Sequence, residues 1–232
     1  MSDGMSSHET KVRTTQFPRC ERIESRQDVV FIFPSELVAN VATIADRLQS
    51  VMYYLKNVTG IDPTQEFGSR VVIGYSETCT QPNWSGVGGN RVCLPWAKYL
   101  NRENEPFDVC SHELVHPFYN RSALHQSNER WGDCFCEFLR GLVKEIMGLD
   151  GKGWWREKLA DTRSHNQNYG NVAGQFLLCA KAMYSEPTVA ENDFADRFIG
   201  DTEAIKQFVA YLFASFSRKP FTSEFVPTTK VR

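Results

Sequence analysis

The sequence lacks an apolar run of the length that a membrane-spanning helix needs, which is about 20 residues. Its longest early run is the short stretch 29–33, and the residues before it are polar. It also lacks an excess of either charge, since 26 basic and 28 acidic side chains leave a formal net charge of -2. Proteins that bind nucleic acid usually carry a basic surface. We therefore expect a soluble chain without a signal peptide, with neither a membrane nor a nucleic acid as partner.

Paired C-x-x-C spacings are absent as well, although the chain contains seven cysteines. An odd number leaves at least one cysteine unpaired within the chain, so we expect reduced thiols. Reduced thiols favour the cytoplasm as the location. Three N-x-S/T sequons, at Asn57, Asn83 and Asn120, leave secretion of a trimmed mature chain open.

The chain does contain enough apolar material for a core, with 41% hydrophobic and 12% aromatic residues. A length of 232 residues suits one domain in two lobes. We expect a polar, flexible tail at 1–28, a single domain at 29–218 and a C-terminal tail at 219–232. The domain is expected to divide into the lobes 29–118 and 119–218.

The first lobe is predicted to mix strands and helices. A β-branched and aromatic run predicts a buried strand at 29–33, and Ser35 is the predicted cap of the helix that follows. Further strands are predicted at 70–75 and 91–94, the second at the edge of the sheet because Pro95 suits an edge. The apolar residues of the helix recur at spacings of three and four: Leu37, Val41, Ile44, Leu48, Val51, Met52 and Leu55.

The second lobe is predicted to be mainly α-helical. A helix is expected at about 127–148, then a loop-like region at 150–170. Candidate helices follow at 171–185, 188–199 and 202–217. A strand-bearing lobe followed by helices only predicts an α+β fold.

The stretch SHELVHPF places His112, Glu113 and His116 in the pattern H-E-x-x-H. On a helix, positions i and i+4 share one face, so both imidazoles can reach a single metal ion. Glu113 then stands beside the metal, where a general base can deprotonate a zinc-bound water. The motif therefore predicts a catalytic Zn²⁺ site.

The helix that carries the motif is expected to begin at Asn104, whose side chain can cap it. An apolar stripe of Phe107, Cys110 and Leu114 lies opposite the histidines and is predicted to face the core. Pro117 disfavours helical geometry at the preceding residue. We expect the helix to end or kink there.

Two histidines do not complete a catalytic zinc site, because three protein ligands are needed beside the water. The following segment, NERWGD, supplies Glu129 and Asp133 one helical turn apart on the next predicted helix. Both carboxylates can therefore face the histidines, and this segment supplies candidates for the third ligand.

Together, HELVH and NERWGD resemble the motifs of the gluzincin metallopeptidases, the thermolysin-like branch of the zincins. The resemblance implies a zincin-like fold in which Glu129 is the third zinc ligand and Asp133 hydrogen-bonds the far nitrogen of His112. Such a carboxylate fixes the imidazole tautomer and raises its basicity. The resemblance also implies that an extended substrate lies antiparallel to the edge strand, here about 92–95.

Other residues stay open as metal ligands. Glu137 and Asp133 are alternative third ligands. His125 is disfavoured, because a third histidine normally follows a glycine-bearing turn at closer spacing. Cys134 and Cys136 are disfavoured because an unpaired cysteine is usually a small core residue.

The predicted function is that of a zinc metallopeptidase, a hydrolase acting on a peptide or protein substrate. Glu113 serves as general base and then as proton donor to the leaving amine. His165 and Tyr169, from a polar segment after the ligand helix, are preferred over Tyr119 for stabilising the oxyanion. The alternative is a zincin-fold domain that binds metal or a protein partner but cleaves nothing.

Overall fold

The computed structural model describes residues 4–37, 40–85, 90–96, 111–119, 130–161 and 169–216. The fold is mixed α+β with a five-stranded sheet, which confirms the predicted class. The chain forms two compact units, one of Met1–Lys56 with Ile61–Phe118 and one of Asn57–Gly60 with Tyr119–Arg232. The predicted tail at 219–232 lies outside the described residues.

The sheet of the first unit has the strand order β1-β2-β3-β5-β4. Strands β2, β3 and β5 are parallel, whereas β1 and β4 pair antiparallel at the two ends. All residues of β2 and β3 are buried, as expected for apolar strands covered on both faces. The strands are β1 (Arg22–Ser25), β2 (Val29–Phe33), β3 (Val71–Ser76), β4 (Asn83–Ser85) and β5 (Arg91–Pro95).

The predicted edge strand is wrong. The strand at 91–95 lies between β3 and β4, and β4 forms the edge instead. Trp84 of β4 pairs with Val92 in antiparallel register. A strand of three residues in a turn-rich segment has no alternation that a sequence pattern can detect. Its existence is decided by pairing with β5.

The helices described in the first unit include α1 (Ser7–Gln16), α2 (Val41–Thr59), α3 (Pro63–Phe67) and α4, which begins in this unit (His116–Tyr119). The predicted apolar face of α2 is confirmed for the six named residues that lie in the helix, all of which are buried. Leu37, the seventh, is also buried but precedes the helix. The predicted cap is wrong. The side chain of Asn40, rather than Ser35, accepts a hydrogen bond from the backbone N–H of Thr43, at 3.2 Å.

Residues 4–28 are ordered, where the sequence had predicted a flexible tail up to residue 28. Ser6 and Glu9 form a capping box at the start of α1, and β1 pairs with β2. Glu9 is buried and its carboxylate lies 2.7 Å from the guanidinium of Arg70. Phe17 is fully buried against Gly74 of β3. Helix α1 is polar and is held by residues far along the chain, so its sequence has no hydrophobic period from which it could be predicted.

The second unit is helical, as predicted, with α5 (Arg130–Ile146), α6 (Gly151–Asp161), α7 (Tyr169–Tyr184), α8 (Glu191–Phe198) and α9 (Thr202–Phe216). Helices α7, α8 and α9 agree with the three predicted segments to within a few residues. No helix in the described ranges is long and apolar enough to cross a bilayer.

The loop-like region predicted at 150–170 is wrong over its first half, which forms α6. Trp155 of α6 is fully buried, stacks on Phe138 with ring centroids 5.7 Å apart, and donates a hydrogen bond to the Phe138 carbonyl at 2.8 Å. Gly141 permits this approach, because a Cβ there would lie 2.3 Å from the indole. Packing of Trp155 therefore stabilises a glycine-bearing segment as helix.

We predict that Gly74→Ala destabilises the protein by about 1 to 3 kcal/mol, because the new methyl group overpacks a filled site. A Cβ at Gly74 would lie 2.7 Å from the ring of Phe17. Urea unfolding measures the effect. The matched control is Gly4→Ala, where nothing lies within 4 Å and a change below about 0.5 kcal/mol is expected. Equal midpoints for both variants would show that the segment bearing Phe17 is not docked on the sheet.

Candidate metal centre

The H-E-x-x-H motif lies on two short helical pieces. Residues 111–113 are helical, 114–115 form a turn, and α4 begins at His116. Val115 donates its backbone N–H to His112 O at 3.1 Å, and Phe118 donates to Val115 O at 3.0 Å, so both bonds span three residues. Pro117 has no N–H with which to continue a four-residue ladder. The expected interruption lies just before His116, while the predicted helix from Asn104 to Cys110 lies outside the described residues.

The two histidines remain neighbours despite this interruption. Their ring centroids are 4.9 Å apart with the planes at 68°. Both side chains are half-buried, while Leu114 and Val115 between them are fully buried. The motif is therefore amphipathic, with imidazole nitrogens on its more accessible side. Phe107 and Cys110 of the predicted stripe are outside the described residues.

Glu113 lies beside the second histidine. Its Oε2 is 3.7 Å from His116 Nε2, and 13% of its side chain is exposed. This separation is longer than a hydrogen bond. A carboxylate this close to an imidazole can act on a water molecule held beside that imidazole, which is the position that a general base requires.

Trp84 is a site residue that the sequence reasoning missed. Its indole stacks on the imidazole of His116, with centroids 6.2 Å apart and planes at 14°. The indole is itself held in place, because Nε1 donates to Asn90 Oδ1 at 2.9 Å and Phe67 packs edge-on at 5.8 Å. The signal available in the sequence was a lone aromatic residue in a polar turn region, which by itself does not predict a contact with the motif.

The second unit carries the other candidate ligands, on α5. Glu129 immediately precedes the described part of that helix and lies outside it. Asp133 is half-buried in the first turn. The carboxylate of Glu137, an alternative ligand, accepts a hydrogen bond from Arg140 at 3.3 Å. Glu137 is therefore paired with a cation of its own helix, and this pairing competes with metal binding.

The two cysteines of α5 are fully buried. Burial raises the pKa of Cys134 to about 12, and the charges of Asp133 and Glu137 raise it further in the same direction. A thiol buried in this way is usually an unreactive core side chain. This agrees with the expectation that Cys134 is a core residue.

The residues predicted to stabilise an oxyanion are only partly described. His165 lies outside the described residues, as does His125, and Tyr169 is the first residue of α7. Tyr119 ends α4 and is fully buried. Its ring covers Gly132, where a Cβ would lie 2.6 Å from the ring edge. Tyr119 therefore has a packing role.

Comparison with known proteins gives few matches. No protein-family model and no curated protein sequence matches the chain. Among solved structures, a zinc metallopeptidase of the M1 family from Deinococcus radiodurans matches with a TM-score of 0.44 and 12% identity, covering 90% of this chain. A mutant of that enzyme gives the same TM-score and identity over 89% of the chain. This chain spans about half of their length, 54% and 53% respectively. A likeness of this size assigns no activity, so the functional argument rests on the side chains.

We predict that Trp84→Ala weakens binding of Zn²⁺ by about 2- to 10-fold, because loss of an aromatic stacking contact frees the His116 ring. Trp84→Phe should restore most of the affinity, since it keeps an aromatic face. Competition titration with a chromogenic chelator measures both. Trp96→Ala is the control, because Trp96 packs under Arg19 in another part of the unit. Equal affinity of Trp84→Ala and wild type would exclude a positioning role for the indole.

Proposed function

We propose that this chain is a zinc-dependent metallopeptidase of gluzincin type. The observation that carries the proposal is the grouping of three side chains within one short segment. The imidazoles of His112 and His116 are adjacent at 4.9 Å, and the carboxylate of Glu113 lies 3.7 Å from the second. Half-buried imidazoles are suitable zinc ligands, and a carboxylate beside them can serve as the base.

The proposed zinc ligands are His112, His116 and Glu129, which leaves the fourth position for water. Asp133 is proposed to hydrogen-bond the far nitrogen of His112, fixing its tautomer. These assignments follow from the motif pair HELVH and NERWGD. The chemistry of the donor set fits zinc, since two imidazoles and one carboxylate form a common catalytic ligand set.

Cys136 is a competing third ligand. A thiolate also suits zinc, so Cys136 has the donor chemistry of a zinc ligand. If Glu129 is the third ligand, its removal should release the metal. If Cys136 is the third ligand, removal of the cysteine should release it. The two assignments therefore make opposite predictions for single substitutions.

In the proposed mechanism, bound zinc supplies Lewis acidity to the water and to the scissile carbonyl. Glu113 takes a proton from the attacking water and later gives it to the leaving amine. Trp84 holds the ring of His116 in place during this cycle through their stacking contact. His165 and Tyr169 are the proposed donors to the developing oxyanion, a charge that has to be stabilised by a positioned hydrogen-bond donor.

The proposed substrate is a peptide in extended conformation. β4 is the terminal strand in the order of the described sheet, and an extended peptide binds a sheet by adding a strand at such an edge. The peptide is therefore proposed to lie along β4, at 83–85, and no longer along 92–95. Trp84 connects this edge to His116, which places the edge near the proposed metal ligands of the same unit.

We predict that Glu113→Gln retains zinc but loses hydrolysis by at least about 100-fold, because the amide keeps the shape and cannot accept the proton. Cleavage of a quenched fluorescent peptide library, read together with zinc content, measures the effect. The control is His112→Ala, which should lose both zinc and activity. Equal cleavage by wild type and Glu113→Gln would reject the peptidase. Zinc without any cleavage in wild type would favour the alternative, a domain that only binds metal.

We also predict that wild type carries close to one zinc per chain and that Glu129→Ala carries much less, because two imidazoles alone bind the metal weakly. Elemental analysis of the purified proteins measures the ratio. The matched variant is Cys136→Ser, which should keep its zinc if Glu129 is the ligand. The reverse result, with zinc lost only from Cys136→Ser, would assign the thiolate as third ligand. A wild-type protein without zinc, even after reconstitution, would reject the site.

A further inference from the structure

Two half-buried cysteines meet beside the β4–β5 hairpin. Cys93 lies in β5 and pairs with Asn83 of β4. Cys79 lies just before β4, with its Sγ 3.5 Å from the carbonyl oxygen of Cys93 and 3.5 Å from the Asn83 side-chain nitrogen. The Cys79 thiol also donates to the carbonyl oxygen of Gln81 at 2.7 Å. The Cys79 sulfur therefore lies against the backbone of Cys93, on the same side of the β4–β5 hairpin.

The surroundings make the two thiols unequal. The neighbouring Cys79 thiol lowers the pKa of Cys93 below that of an ordinary cysteine, and Ser76 and the positive charge of Arg91 act in the same direction, while burial opposes them. Cys93 in turn raises the pKa of Cys79, and burial raises it further. Cys93 is therefore the better nucleophile of the two.

We propose that Cys79 and Cys93 form a modification site at which a peroxide converts the two thiols into a disulfide. Formation of this disulfide requires neither zinc nor peptidase activity. The buried cysteines differ from this pair. Burial raises the pKa of Cys20 to about 11, of Cys134 to about 12 and of Cys179 to about 11. Buried protonated thiols react slowly with peroxides.

The chemistry requires a hydroperoxide as the oxidant. The Cys93 thiolate attacks one peroxide oxygen, the O–O bond breaks, and the sulfur becomes a sulfenic acid while the departing oxygen takes up a proton. Cys79 then attacks the Cys93 sulfur and loses its proton. The S–O bond breaks, the S–S bond forms, and the hydroxyl leaves as water with that proton. With hydrogen peroxide, two thiols lose two electrons and the oxidant becomes two molecules of water.

The disulfide would join the two ends of a segment that contains β4. That segment includes Trp84, whose indole stacks on His116. A covalent link across the hairpin limits how far β4 can separate from β5. If the proposed function is correct, oxidation therefore restricts the movement of β4, the strand along which the substrate lies. Formation of the disulfide itself does not depend on that function.

The experiment treats the purified full chain with a small excess of hydrogen peroxide, blocks the remaining thiols by alkylation, and maps the cysteine peptides by mass spectrometry. A linked Cys79–Cys93 peptide should form before any other cysteine is consumed and should disappear after reduction with dithiothreitol. Cys79→Ser should instead accumulate a sulfenic acid at Cys93, trapped with dimedone. Cys20→Ser is the matched control and should give the wild-type pattern.

The proposal is overturned if Cys79 and Cys93 are still alkylated after other cysteines have reacted. It is also overturned if either one is linked mainly to Cys110 or to another chain. Cys93→Ser should lose the fast reaction entirely, and a fast reaction at Cys79 in that variant would reverse the assignment of the nucleophile. The wild-type peptide map decides the existence of the disulfide without any variant, and it does not depend on whether zinc is present.

Discussion

The buried pairing of β3 with β2 and β5 is the interaction on which the first unit depends. Every residue of β3 is buried and the strand pairs in parallel on both sides. Gly74, at its centre, leaves room for Phe17 and so docks the N-terminal segment. On its other side β5 aligns the hairpin that ends in β4. The position of Trp84, and through it the contact with His116, follows from this register.

The helix that carries the H-E-x-x-H motif is interrupted, yet its two histidines remain adjacent. Pro117 removes a backbone donor, and the bonds around Val115 span three residues instead of four. The imidazoles of His112 and His116 are nevertheless neighbours, since a tightened turn shifts them along the axis without moving them to opposite faces. Stacking by Trp84 adds an external restraint on His116. The position of the His116 ring therefore depends on its stacking contact with Trp84 as well as on helix geometry.

The second unit depends on aromatic packing between helices. Trp155 lies against Phe138, and Gly141 gives the indole room to approach. The ring of Trp154 on the same helix lies between the cations of Arg140 and Lys158, at 4.2 and 4.1 Å. These contacts fix α6 against α5 in the unit that contains Asp133 and Cys136. Aromatic and cation–π contacts therefore hold these two helices together.

The sequence alone determined the features that are local: the buried strands at 29–33 and 71–76, the apolar face of α2, the three last helices, and the placing of His112, Glu113 and His116 within one segment. Apolar runs and helical periods carry that information, because they depend on neighbours within a few residues. Tertiary structure decided the remainder. The edge strand, the docking of α1, the helix at Trp155 and the stacking of Trp84 all depend on partners distant in the chain, whose pairing leaves no period in the sequence.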